Sequence, residues 1–241
     1  MFSADFLKEL KNQMQNPTVW AMPTVDEVLV APAGWSAIDP HFPTPRPLQA
    51  STLTGMRDFI LASKTQLDGP ILSVMDERKV ALISRLGNRG ERYTRHAYLT
   101  AEAVGGRFGF GSYHMHELFV IGLQTLFAPT VERDALLALV GSIRDTKTVE
   151  STDDGIGQRV VVARGPALVE RTAVPNSFVL QPYRTFQEIE QPKSQFILRI
   201  KGGDNPALML VESDGGLWKS EAVQRIGAWL REQVKDVPVI A

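Results

Sequence analysis

Six strand-like segments are packed into residues 148–213 with only turn signals between them, and this limits the fold more than any other feature of the chain. TVEST (148–152) and QRVVVARG (158–165) flank Asp153-Asp154-Gly155-Ile156-Gly157, a hairpin signal. ALVERTAV (167–174), SFVLQPY (177–183), SQFILRIK (194–201) and ALMLVES (207–213) follow. Pro175-Asn176, Gln191-Pro192 and Gly202-Gly203-Asp204-Asn205-Pro206 separate them. Such spacing predicts antiparallel strands.

Upstream, the apolar period changes several times. Phe2, Phe6, Leu7, Leu10 and Met14 recur at helical spacing, with Ser3 as a cap and Asn16-Pro17 as a stop. TVWAM (18–22) and EVLVAP (27–32) read as short strands. Residues 31–48 hold Pro32, Pro40, Pro43, Pro45 and Pro47, so this stretch predicts an extended arm rather than a helix or central strand. Ser51 or Thr52 caps a helix through about Thr65, with Leu53, Met56, Phe59 and Ile60 on one side. PILSVMD (70–76), KVALISRL (79–86) and ERYTRHAYLTAEA (91–103) then suggest a three-strand meander. Ser112 caps an expected helix over 113–127. Thr130 caps a second over 131–144, whose first-turn acids Glu132 and Asp134 suit the helix dipole, and the pair forms a helical hairpin. A last helix runs from about Leu217 to Val234 on the stripe Ala222, Ile226, Trp229, Leu230 and Val234, and VPVIA closes the chain. Helices and strands do not alternate strictly. The predicted class is therefore α+β: antiparallel sheet or sheets, a helical hairpin, a C-terminal helix and a Pro-rich N-terminal arm. A boundary near 145–150 would give an α/β half (1–147) and a mostly β half (148–241), although hairpin-rich regions equally join into one continuous domain.

Composition narrows function mainly by exclusion. The 26 Lys and Arg against 27 Asp and Glu leave a formal charge of −1, which excludes a globally basic nucleic-acid binder but not a local basic face. Without cysteine there is no disulfide, thiolate nucleophile or Cys-based metal site. The longest apolar run outside the N-terminal helix, LFVIGL (118–123), is far short of a membrane span, and the first residues lack a signal-peptide pattern. The reading is a cytoplasmic protein with no membrane partner.

Few motifs carry chemistry. In His114-Met115-His116-Glu117 an extended backbone would aim His114 and His116 to one side, where they could ligate a metal. In a helix they diverge by about 200°. The helical reading is preferred, so no metal or other cofactor is assigned, and a His-dependent metallo-hydrolase stays as an alternative. GGRFGFGS (105–112) matches neither GxGxxG nor GxxxxGK[ST]. It reads as a link whose two Phe pack inward, and Gly122 and Gly141 read as close-packing positions within helices. No GxSxG is present. The pairs Asp26-Glu27, Asp76-Glu77 and Asp153-Asp154 read as turn chemistry. No nucleophile–base pair stands out, so the chain reads as non-enzymatic.

Electrostatics gives the leading candidate site. Arg85, Arg89, Arg92 and Arg95 lie among Tyr93, His96 and Tyr98 with one acid, Glu91. Arginine interleaved with aromatic rings on strands is how sheets hold single-stranded nucleic acid, charge on phosphate and ring on base. The candidate contacts to DNA or RNA are Arg85, Arg89, Arg92, Tyr93, Arg95 and Tyr98; the competing reading is a solvated face with cross-strand ion pairs. YRTFQEIEQP (183–192) is either a core corner or a subunit interface, since Tyr and Arg favour hot spots. With the arm it supplies the interface candidates Trp35, Phe42, Tyr183, Arg184 and Phe186.

The order VLVAPAGW, Pro-rich arm, TLTGMRDFI, HAYLTAEA, HELFVIGLQTLF and VPNSFVLQPYRTF resembles an uncharacterised family of phage and prophage proteins. The resemblance implies a virus-encoded protein in the cytoplasm of a bacterial host, acting in early DNA metabolism or against host defence. It transfers no catalytic residue. The expected function is a self-associating binding protein in nucleic-acid-linked processes, with inhibition or scaffolding of a host protein as the alternative.

Overall fold

The computed structural model describes residues 3–15, 18–21, 28–31, 46–89, 92–144, 149–153, 158–164, 168–173, 175, 177–201 and 206–241. In chain order these form α1 (Ala4–Gln15), β1 (Thr18–Ala21), β2 (Val28–Ala31), β3 (Leu48–Ala50), α2 (Leu53–Ala62), β4 (Ile71–Asp76) and β5 (Lys79–Ile83). Next come β6 (Gly87–Arg89), β7 (Arg92–Thr94), β8 (Ala97–Glu102), β9 (His114–Met115), α3 (His116–Leu126) and α4 (Val131–Arg144). Then β10 (Val149–Asp153), β11 (Gln158–Arg164), β12 (Leu168–Ala173), β13 (Phe178–Leu180), β14 (Ser194–Lys201), β15 (Ala207–Glu212), α5 (Leu217–Gln233) and β16 (Val239–Ile240) follow. The class is α+β.

Two units divide the chain. The first comprises residues 1–46 and 85–96. It holds α1, started by the Ser3 hydroxyl, which accepts from the Phe6 N–H at 3.2 Å. It also holds the hairpins β1–β2 and β6–β7. Most of the Pro-rich segment, with Trp35 and Phe42, lies outside the described residues.

The second unit comprises residues 47–84 and 97–241 and is built on two larger sheets. One has the order β16-β4-β5-β8-β3 and the other β13-β14-β15-β9. Strands β10-β11-β12 make a separate antiparallel sheet. Strict alternation forms β14: Ser194, Phe196, Leu198 and Ile200 are buried, while Gln195 and Lys201 are exposed. Phe196, Leu198 and Ile200 join Phe119, Leu123, Leu136 and Val140 of α3 and α4 in one core. The other core sets Leu72, Val80, Leu82 and Leu99 against Leu53, Met56 and Ile60 of α2 and Ile226 and Leu230 of α5. Phe186 and Ile189 insert into that second core. It therefore draws on both sides of residue 147.

Several details depart from the sequence analysis. ERYTRHAYLTAEA is not one strand: Arg92–Thr94 pairs with β6, whereas Ala97–Glu102 pairs with β5 and β3, so the segment changes sheet at Arg95-His96. The five-stranded sheet is mixed, because both edge strands, β3 and β16, run parallel to their neighbours. Helix α3 starts at His116 without a side-chain cap, since His114 and Met115 pair with β15 first. Turn chemistry does account for Asp76, whose carboxylate accepts from the Arg78 N–H at 2.7 Å. Thr52 and Thr130 cap α2 and α4 as expected.

The glycine-rich link packs inward through its two Phe. Phe108 lies 5.2–5.6 Å from the rings of Phe110, Phe119 and Phe127, and Phe110 stacks on Phe196 at 4.9 Å. Gly122 permits this, because a Cβ there would sit 2.7 Å from the Phe108 ring, whereas a Cβ on Gly141 would meet nothing within 4 Å. Close packing thus explains Gly122 and not Gly141. Gly122→Ala is expected to destabilise by about 1–3 kcal/mol through overpacking. Gly141→Ala is expected to stabilise by up to about 1 kcal/mol from helix propensity. Urea denaturation of both variants checks the pair; stabilisation by Gly122→Ala would contradict this packing.

Candidate functional site

Residues 181–192 connect β13 to its antiparallel neighbour β14 without regular structure, so their backbone polar groups need other partners. Gln191 supplies many of them. Its amide oxygen accepts from the N–H groups of Arg184 (3.0 Å) and Thr185 (3.2 Å), and its amide nitrogen donates to the Phe186 carbonyl at 2.8 Å. The Gln181 amide donates to the Gln191 carbonyl at 2.6 Å. The Thr185 hydroxyl donates to the Glu77 carbonyl on the β4–β5 turn.

Held this way, the Arg184 side chain is 8% exposed and reaches the end of the four-stranded sheet. One guanidinium nitrogen pairs with Glu212 of β15, and another donates to Ser194 of β14, whose hydroxyl in turn donates to Asp214. The guanidinium carbon lies 3.8 Å from the Trp218 ring centre, a cation–π stack. Burial pulls the Arg184 pKa below its ordinary value; Glu212, Asp214 and Glu77 act in the opposite direction. Glu212 is the partner in ion-pair contact.

Beside this arginine a cleft of about 260 Å³ opens, with Arg78, Arg107 and Lys219 on its wall and Phe110, Tyr183 and Trp218 among its rings. Arg78 donates to two neutral acceptors, the Ala103 carbonyl at 2.5 Å and the Arg184 carbonyl at 3.5 Å. The N–H groups at Arg78 Nε, Arg184 Nε and Trp218 Nε1 are buried without an acceptor.

Of the sequence-based interface candidates, Phe186 is 1% exposed and Arg184 is buried, so both serve the protein's own core. Tyr183, 38% exposed, borders the cleft. Tyr98 also leaves the predicted Arg/Tyr face: it packs on the core of the five-stranded sheet, and its hydroxyl accepts from the Asp68 N–H at 3.1 Å. Arg85 and Arg95 are exposed, and Arg89, Arg92 and Tyr93 lie on β6 and β7. The two histidines are engaged by different carbonyls, His114 Nε2 by Gly109 and His116 Nε2 by Val140, each at 2.8 Å. Among the described residues no group of three or more His, Asp or Glu is placed to hold a metal, and no helix is long and apolar enough to cross a membrane.

Trp218, Glu212, Ser194 and Gln191 were not among the site residues expected from sequence. Trp218 had a signal: the i, i+4 rhythm through Ala222 and Ile226 extends back to it. The others had none, because their partners lie on distant segments. Comparison with known proteins adds no relative: no family model, curated protein or solved structure matches the chain.

Removing one member of a buried ion pair leaves the other uncompensated. Arg184→Met is expected to cost about 3 kcal/mol, the low end of the usual range because Glu212 stays 27% exposed. Arg184→Met with Glu212→Met should recover part of that loss. Urea denaturation of both single variants and the pair measures the coupling; additive losses would show that the pair is not a unit.

Proposed function

We propose that the protein is a non-enzymatic nucleic-acid-binding protein whose phosphate contacts come from the β6–β7 ribbon. The observation that supports this is the ribbon register, which makes Arg89 and Arg92 cross-strand partners. Like charges opposite one another on neighbouring strands are destabilising unless an anion offsets them. Arg85 and Arg95 are exposed outside the two strands, so residues 85–95 carry four arginines and one acid, four minus one giving +3. A two-stranded ribbon also fits the major groove of a duplex, and arginines along strands suit a single strand. On this proposal the resemblance to phage proteins would imply the cytoplasm of a bacterial host as the setting.

The test is fluorescence anisotropy with labelled single- and double-stranded DNA between about 50 and 200 mM salt. Affinity is expected to fall steeply over that range. Arg89→Ala with Arg92→Ala should lower the slope of log K against log salt by about 1.4 to 1.8, two phosphate contacts' worth. No binding at the lower salt, or an unchanged slope, would refute the proposal.

A second reading, self-association, is favoured by one face of α3. Leu118 and Ile121 are about half exposed, as is Tyr113 just before the helix, and Met115 is more so. Glu117 is the helix's one carboxylate, and it has no Lys or Arg. A nearly neutral apolar face is compatible with a second copy of itself across a twofold axis, with little charge to repel. Leu118→Glu with Ile121→Glu is expected to convert a dimer to a monomer in light scattering. A wild-type chain that is already monomeric at high concentration would sink this reading.

A further inference from the structure

The cleft beside Arg184 has a charge balance that the protein does not satisfy by itself. Four cations, Arg78, Arg107, Arg184 and Lys219, border it against two acids, Glu77 and Glu212. Glu212 is committed to Arg184. Arg78 spends its hydrogen bonds on carbonyls, and the Lys219 ammonium lies 5.8 Å from the Trp218 ring centre. The walls are aromatic as well as cationic: Trp218, Phe110 and Tyr183 all contribute. Arg184 and Trp218 are more than nine-tenths buried, and each keeps a side-chain N–H with no acceptor. Both N–H groups are sealed from solvent, so a ligand in the cleft meets the accessible cations and rings and not these two donors. A volume of about 260 Å³ lies below the usual range for drug-sized ligands.

We infer that this cleft binds a small planar anion, an aromatic ring carrying one carboxylate or phosphate group. The ring lies among the aromatic walls, and the acid faces Arg107, Lys219 and Arg78. Arginine and lysine beside aromatic rings suit this combination, because the cations bind the acid and the rings bind the plane. The inference is independent of the ribbon, which belongs to the other unit.

The test is an NMR titration followed on the indole N–H signals. The chain has four tryptophans, and the signal absent in Trp218→Phe identifies Trp218. Phenyl phosphate, 2-naphthoate, the neutral 2-naphthamide and inorganic phosphate are titrated separately. At least one aromatic acid is expected to shift the Trp218 signal saturably and bind at least tenfold more tightly than the amide and inorganic phosphate; which acid binds distinguishes phosphate from carboxylate. Arg107→Gln and Lys219→Gln, both at exposed positions, should each weaken binding about tenfold, the loss of one charged contact. Arg89→Ala with Arg92→Ala should leave it unchanged. The inference is overturned if neither acid moves the Trp218 signal, if the amide or inorganic phosphate binds as well as the acids, or if the Arg107 and Lys219 variants bind normally.

Discussion

A buried guanidinium needs more partners than one side chain provides, and the larger unit is organised around meeting the needs of Arg184. Its charge is met by Glu212, its two terminal nitrogens by Glu212 and Ser194, and its face by Trp218. These partners come from β15, β14 and α5, so a single side chain ties three elements together. Gln191 fixes the backbone that carries it by closing the loop over the Arg184 and Thr185 N–H groups. Two residues further on, Phe186 is buried in the core beneath the five-stranded sheet. The segment therefore joins one apolar core to the polar end of the other sheet. Hydrophobic burial stabilises each core; the directional bonds of this segment fix which parts meet.

Local pattern made much of this fold legible. Six spaced strand patterns, the capping threonines and the inward phenylalanines of the glycine-rich link all act over a few residues, and each has its counterpart in the structure. What was hidden depends on distant pairing. Nothing local shows that Val239 and Ile240 add a parallel strand beside Leu72 and Ser73, or that Leu48–Ala50 leaves the Pro-rich stretch to join Leu99–Ala101. Arg95-His96 looked continuous with its strand because alternation does not mark a change of sheet.

The same limit governed the site. Arg184 and Phe186 were singled out because Arg and aromatic residues favour interfaces, and the same properties suit a core corner. Burial decides between the two roles, and it is invisible in sequence. Tyr98 was grouped with the arginines by proximity, yet its ring packs inward and its hydroxyl serves the Asp68 backbone. With those residues removed, two candidate sites remain, the β6–β7 ribbon and the Arg184 cleft. They differ physically: the ribbon presents charge on two short strands, whereas the cleft combines charge with aromatic walls. The proposed ligands differ accordingly, a polyanion for the first and a small planar acid for the second.

The central claim is that the Arg184–Gln191 clasp makes the segment between β13 and β14 part of the cooperative core and not a loop laid over it. Native-state hydrogen exchange measures this residue by residue. The Arg184 and Thr185 amides, both bonded to the Gln191 side chain, are predicted to open only with global unfolding, with the same free energy and denaturant dependence as the β14 amides. Exchange of these two amides through small local openings, while β14 stays protected, would contradict it.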